Sequence, residues 1–215
     1  MAKHLYLISG LGADERIFGN LRFPSGYDVH FLPWIPPKEN EPISDYAARM
    51  AEGIIIDGPV SLIGVSFGGI MSLEIARLMP VEKNVLISSI KHTGEKPPYY
   101  NWARRLGLHN LPDHLLYKNR SFIVKKFMNV ETEEDRQLLD DYLSNSDHVY
   151  RRWAVNTVLH WENEHQPEGL VHIHGGRDLT FPIRFVKPTH TIPDGGHFMV
   201  LNRAAAVNRI LHEVL

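Results

Sequence analysis

One stretch constrains this chain more than any other: Val60-Ser61-Leu62-Ile63-Gly64-Val65-Ser66-Phe67-Gly68-Gly69-Ile70-Met71. A short apolar run, which reads as a buried strand, leads into Gly64-Val65-Ser66-Phe67-Gly68. A helical pattern follows from Phe67 to about Leu78, and Pro80 stops it. A G-x-S-x-G segment between a strand and a helix holds its serine on a sharp, strained turn, with the hydroxyl raised clear of a sheet. Gly64 and Gly68 flank that turn because a Cβ at either place would collide with the neighbouring strand or helix. The helix that starts just beyond Ser66 offers free N–H groups and a positive dipole end to an oxyanion formed there. Two glycines and a serine fall at this spacing by chance in roughly one chain in ten to twenty. The strand before and the helix after make chance a poor account here.

The rest of the chain alternates around this stretch. Leu5–Ile8 reads as a first strand, ending in Ser9-Gly10-Leu11-Gly12-Ala13-Asp14, where backbone N–H groups can turn inward towards a ligand or intermediate. Glu15 stands where the third glycine of G-x-G-x-x-G would be, and no Walker lysine is present, which argues against nucleotide binding. Tyr27–Leu32 reads as a second strand. A helix is expected from Ser44 through Ala51, with Ser44 or Asp45 as its N-cap. The strand before Ser66 and its helix come next, then Asn84–Ser88 as a fourth strand. Later come Leu170–His174, a last strand near Thr189–Ile192, and a final amphipathic helix over Arg203–Leu215. Short apolar runs alternating with helical patterns predict an α/β fold: a doubly wound, mostly parallel sheet with helices on both faces.

The alternation breaks between about 91 and 166, where no convincing strand appears. Pro97-Pro98 opens this segment and Gln166-Pro167-Glu168-Gly169 closes it. Helical patterns lie at Ser121–Asn129, Thr132–Leu143 (with Thr132 and Asp135 placed as a capping box) and Asp147–Trp161. Three of the four tryptophans, Trp102, Trp153 and Trp161, are in this segment. The expected organisation is therefore a core of residues 1–90 and 167–215 with an inserted helical cap over 91–166. The cap would supply an aromatic roof to a water-excluding pocket, although some of the aromatics would pack the cap's own small core.

Composition narrows the function classes. A chain of 215 residues suits one domain that buries roughly 70% of its unfolded surface. A formal net charge of −2 gives no electrostatic case for nucleic acid or an acidic membrane surface. The absence of cysteine excludes disulfides, thiolate metal sites and a cysteine nucleophile. No stretch approaches the ~20 apolar residues of a membrane span, and the N-terminal apolar run is too short for a signal peptide, so a cytoplasmic protein is the default expectation.

A serine hydroxyl needs a base, and the base needs an orienting carboxylate. Among 13 histidines, position discriminates. His197 follows the last strand in a Gly-Gly-His turn, and Asp178 follows the strand before it. Both loops leave strand C-terminal ends on the sheet edge that carries Ser66. Asp194 competes with Asp178, but a residue three positions from His197 in a tight loop seldom aims back at the imidazole. His172 and His174 alternate onto one strand face without a third ligand at suitable spacing, and His160-Trp161-Glu162-Asn163-Glu164-His165 is not H-E-x-x-H; neither makes a metal site, and no cofactor is expected. The pairs Arg104-Arg105, Lys125-Lys126 and Arg151-Arg152 read as solvated faces.

Gly64-Val65-Ser66-Phe67-Gly68-Gly69, His174-Gly175-Gly176-Arg177-Asp178 and Gly195-Gly196-His197-Phe198, in that order, resemble the α/β-hydrolase fold superfamily in its compact, cap-bearing branch. The resemblance implies Ser66 as nucleophile, His197 as general base then acid, Asp178 as its orienter, and an oxyanion hole from the backbone N–H groups of Leu11 and Phe67. The chain begins at what would be the family's third strand, so a six-stranded core is expected. Ser9-Gly10 stands where many relatives carry His-Gly. Where some relatives carry the acid one strand earlier, this chain has Lys91 and His92, with Glu95 further on. The implied activity is hydrolysis of a small carboxylic ester or thioester through an acyl-enzyme. Two alternatives stay open: the same triad used for C–C bond hydrolysis or a lyase reaction, and a non-catalytic small-ligand binding protein on the same scaffold.

Overall fold

The computed structural model describes residues 2–107, 121–145, 147–165 and 167–215, so residues 108–120 of the expected cap and Gln166 at its closing boundary lie outside the described residues. In chain order the elements are β1 (Lys3–Ile8), β2 (Tyr27–Phe31), α1 (Ile43–Ala51), β3 (Val60–Val65), α2 (Phe67–Ala76), β4 (Lys83–Ile87), α3 (Pro98–Arg105), α4 (Ser121–Met128), α5 (Glu133–Asn145), α6 (His148–His160), β5 (Leu170–Gly175), β6 (His190–Ile192), α7 (Met199–Asn202) and α8 (Ala204–Val214). Strand order is β2-β1-β3-β4-β5-β6, and every pairing is parallel. Ile63 at the centre of the sheet pairs with both Leu7 and Val85.

The continuous apolar runs of these strands follow from burial of both sheet faces. Successive side chains point to opposite faces. Leu5, Leu7, Ile63, Val65, Val85 and Ile87 share a core with Val207 and Leu211 of α8. Tyr6, Ile8, Leu62 and Leu86 join Tyr46 and Met50 of α1 and Ile70, Met71 and Ile75 of α2 in the other. Each such side chain removed from water contributes about 1.5–3 kcal/mol before entropy is counted. Helix α2 packs against β3, β4 and α1, and its residues from Phe67 to Ile75 are all buried.

Element types follow the sequence reading, with local departures. Helix α1 starts earlier than the Ser44 or Asp45 cap: Pro42 is the N-cap, with its extended backbone carbonyl accepting from Tyr46 N, while the Ser44 hydroxyl donates to Asp45. Pro97-Pro98 was expected to break the chain, yet Pro98 opens α3, because proline at the first helical position loses no intrahelical bond. The final helix is preceded by the short α7. At α5 the Thr132 hydroxyl accepts from Asp135 N at 3.0 Å as a capping box requires, but the Asp135 carboxylate accepts from Asn202 Nδ2 of α7 instead of turning back. Asp147 caps α6, accepting from Val149 N and Tyr150 N at 2.7 and 2.9 Å. Between β4 and β5 the described residues form helices α3 to α6 and no strand.

Candidate active site

Ser66 is the last residue before α2, and its backbone is left-handed, at φ 54° and ψ −117°. For a residue with a Cβ this conformation is strained and must be held by its surroundings. Three backbone bonds hold it: Ser66 N donates to Ile87 O at 2.9 Å, and Ser66 O accepts from Gly69 N and from the Ser89 hydroxyl. The turn closes only because Gly68 and Gly64 lack side chains. A Cβ at Gly68 would lie 2.2 Å from Ile8 O in β1, and one at Gly64 would lie 2.3 Å from Gly68 O.

Asp178 and His197 come to Ser66 on two loops that are zipped together beyond β5 and β6. Gly176 N donates to Ile192 O at 2.9 Å, and Arg177 N to Gly195 O at 2.8 Å. The Asp178 carboxylate is buried. Its Oδ1 accepts from Thr180 N and Phe181 N at 2.8 and 2.9 Å, and its Oδ2 accepts from His197 Nδ1 at 2.8 Å. With the Nδ1 proton committed to the carboxylate, the Nε2 lone pair is left for the Ser66 hydroxyl, whose Oγ lies 2.9 Å away. The structure thus brings Ser66, His197 and Asp178 into one hydrogen-bonded chain.

Asp194 takes no part in it. Its carboxylate accepts from Arg203 Nε at 2.7 Å, and this ion pair holds its pKa below the usual carboxylate range. Glu95, one strand earlier, is buried and engaged elsewhere, accepting from Lys91 N and Lys187 N. His172 and His174 donate from Nε2 to Ser89 O and Phe181 O, at 3.0 and 2.8 Å. Burial holds both imidazoles below the normal histidine range, and the facing ring adds to this at His172. At His174 the nearby Asp178 carboxylate acts in the opposite direction.

Above the chain of three residues lies a cavity of about 310 Å³. Its floor is Gly10–Ala13, Val65–Phe67, Phe181 and His197–Phe198, so Leu11 and Phe67 both border it beside Ser66. Its walls come from the helices between β4 and β5: Val124 and Met128 of α4, Leu139 and Leu143 of α5, and Val155 and Val158 of α6. Aromatic rings join these aliphatic walls, Tyr100 and Tyr142 from the expected cap segment and Phe67, Phe181 and Phe198 from below, but no tryptophan among the described residues lines the cavity. Trp102 is 69% exposed on α3. Trp153 stacks on Tyr46 at 4.1 Å and donates to Glu41 O. Trp161 is buried, with its indole N–H donated to Glu74 at 2.7 Å. Arg151, expected on a solvated face, lines the cavity and donates to Leu143 O at 2.7 Å.

A model of the alpha/beta hydrolase family matches residues 5–210. The chain belongs to that family. Solved structures of the same fold include an esterase from Exiguobacterium antarcticum (TM-score 0.73, 16% identity, covering 97% of this chain and 90% of that one). A hydrolase from Oleispira antarctica has TM-score 0.73 and 12% identity, covering 97% and 89% of the two chains. A lipase-esterase related protein from Clostridium acetobutylicum has TM-score 0.68 and 16% identity, covering 100% and 95%. No curated protein matches the chain. Among the described residues no helix is long and apolar enough to cross a membrane.

This alpha/beta hydrolase supports its Ser9-Gly10 loop in its own way. The Ser9 hydroxyl donates to Ala13 O at 2.6 Å and accepts from Trp34 Nε1 at 3.0 Å; the same N–H reaches Gly10 O at 3.2 Å. The Trp34 ring stacks on Phe67 at 5.1 Å, tying the loop after β1 to the residue after Ser66. Asn129 accepts from His197 N through its side-chain oxygen at 3.2 Å, so the end of α4 steadies the His197 loop. Sequence reasoning assigned neither Trp34 nor Asn129. A single tryptophan in a proline-rich loop carries no spacing signal, and the contacts of Asn129 are made across 68 residues.

Proposed function

We propose that the chain is a serine hydrolase that cleaves a small carboxylic ester or thioester with an apolar acyl group through an acyl-enzyme. The observation that carries this reading is the hydrogen-bonded sequence Ser66–His197–Asp178 at the floor of a largely apolar cavity. In the first half-reaction Ser66 Oγ bonds to the substrate carbonyl carbon while its proton passes to His197 Nε2. The carbonyl electrons move onto oxygen, and the Leu11 and Phe67 amides donate to that oxyanion, an arrangement worth ~3–4 kcal/mol per donor in comparable sites. As the oxyanion collapses, the C–O or C–S bond breaks and His197 returns the proton to the leaving alcohol or thiol. In the second half-reaction His197 takes a proton from water, the hydroxide attacks the acyl carbon, and the carboxylic acid leaves as Ser66 regains its proton. Asp178 holds the Nδ1–H tautomer and balances the imidazolium charge throughout.

The segment 91–166 is read as a cap over this site. In support, α4, α5 and α6 supply aliphatic walls to the cavity, while the loops after the strands bring Ser66 and His197 to its floor. A pocket of about 300 Å³ lies at the small end of the range for ligand sites, which favours a compact substrate. The test is a panel of p-nitrophenyl esters and thioesters graded by acyl length, with the acyl group trapped and located by mass spectrometry. An acyl adduct on Ser66 and turnover that peaks at a short or medium apolar chain are expected. Turnover of a C–C bond substrate with no ester forming an adduct would replace this reading with its rival.

A further inference from the structure

The first two strands carry a second cluster of chemistry-bearing side chains, built by sheet register. In the parallel β1/β2 pair, His4 lies opposite Asp28 and Tyr6 opposite His30. Residues two apart on a strand share a face, so Asp28 and His30 project together beside His4. We propose that His4, Asp28 and His30 form a binding site for one divalent transition-metal ion of borderline hardness, with zinc foremost.

Geometry is the first argument. His4 Nδ1 lies 3.1 Å from His30 Nε2 and 3.9 Å from Asp28 Oδ2, and His30 Nε2 lies 3.3 Å from Asp28 Oδ2. Donors held about 2.0–2.1 Å from zinc in a tetrahedron stand about 3.4 Å apart. The three atoms are therefore spaced as three corners of a zinc coordination shell, and modest side-chain adjustment brings an ion within bonding distance of each. The Asp28 side chain is 60% exposed, which leaves the fourth corner to water.

The surroundings of the ligands are the second argument. His4 Nε2 lies 2.6 Å from Asp57 Oδ1 and donates its proton there, so Nδ1 keeps its lone pair towards the cluster. A carboxylate on the outer nitrogen of a histidine is the usual support for a metal ligand, fixing its tautomer and raising its basicity. The Tyr6 ring stacks on His30 at 4.7 Å and 20°, and the His4 side chain is almost wholly buried, so two of the three ligands are held in place. Two imidazoles and one carboxylate suit zinc, cobalt, nickel or copper better than magnesium or calcium, which prefer all-oxygen shells.

Position decides the role. The triad sits beyond the C-terminal ends of the strands, whereas His4 lies near the start of β1. The ion would staple β2, which is the edge strand, to β1 and to the loop before β3, where His4 N already bonds Pro59 O at 2.9 Å. Its effect is on stability rather than on the ester reaction.

Chelator-stripped protein titrated with Zn²⁺ against a chromophoric competitor tests the site, with thermal unfolding as the second readout and Mg²⁺ as control. The expected result is one Zn²⁺ per chain and a raised Tm, with Mg²⁺ doing neither. His30→Ala and the more conservative, exposed Asp28→Asn each remove a direct ligand, so each should weaken binding by more than the roughly 10- to 100-fold that loss of an outer partner costs and abolish the Tm rise, while His197→Ala keeps both. Unchanged Zn²⁺ binding in His30→Ala and Asp28→Asn, or binding lost only in His197→Ala, would overturn the assignment, as would a wild-type protein that does not distinguish Zn²⁺ from Mg²⁺. Neither readout depends on turnover.

Discussion

Arg203 holds Asp194 in an ion pair 2.7 Å long and so turns away from His197 the carboxylate nearest to it in sequence. The arginine also pairs with Glu131, and the acid that reaches the imidazole is Asp178, 19 residues distant. Asp194→Asn is therefore expected to leave kcat within a few-fold of wild type and to lower Tm only slightly. Asp178→Asn should cost on the order of 10⁴ in kcat, because the amide favours the wrong imidazole tautomer. Steady-state kinetics of the two variants side by side make the comparison. Equal losses would move the acid to Asp194.

Trp34 bridges the loop after β1 and the start of α2. Trp34→Phe keeps most of the stacked ring and removes its N–H, leaving the Ser9 hydroxyl and Gly10 carbonyl without that donor. If the Leu11 amide serves the oxyanion, this variant should lose about tenfold or more in kcat with little change in KM, since loosened positioning acts on the transition state. A change in KM alone would mean that Trp34 shapes the pocket rather than the oxyanion loop.

Val155 on α6 lines the cavity above the Ser66–His197 pair. Val155→Phe should fill part of the roughly 310 Å³ and shorten the acyl chain accepted. Each methylene that no longer fits costs about 1–3 kcal/mol, so kcat/KM for the longest good substrate should fall at least about tenfold relative to the acetyl ester. A uniform loss across chain lengths would place the acyl group elsewhere.

His172 and His174 are buried and held neutral in the fold, while in the unfolded chain they titrate near the ordinary histidine value of 6.5. Below that pH the unfolded state binds more protons than the native state, so stability falls as pH falls and is fully present above it. Denaturant midpoints measured between about pH 8 and 5.5 should drop on the acid side, and His172→Gln should flatten the slope. A flat profile in the wild type would mean that these rings charge inside the fold.

The sheet was legible because each strand is a short apolar run between turn residues, and because strands buried on both faces leave no other reading for the pattern. The neighbourhood of Ser66, Asp178 and His197 was legible for a topological reason: loops after successive parallel strands share one edge. What was not legible depended on distances between segments remote in sequence. The register of β1 against β2, which gathers His4, Asp28 and His30, cannot be read from either strand alone. The tryptophans drew attention by their size, yet Trp153 and Trp161 pack beside α1 and α2, and the cavity is lined by phenylalanines, tyrosines and aliphatic residues drawn from segments remote in sequence. Proline at the start of α3 looked like a break, since the same residue type opens a helix or ends one.

Labelling with a fluorophosphonate probe tests the central claim most directly, with intact mass followed for the wild type, Ser66→Ala and His197→Ala. The account predicts rapid addition of one phosphonyl group to the wild type, none to Ser66→Ala, and labelling slowed by orders of magnitude in His197→Ala, each variant losing about 10⁴- to 10⁶-fold in kcat. A folded wild-type protein that stays unlabelled, or one labelled as fast without His197, would contradict it.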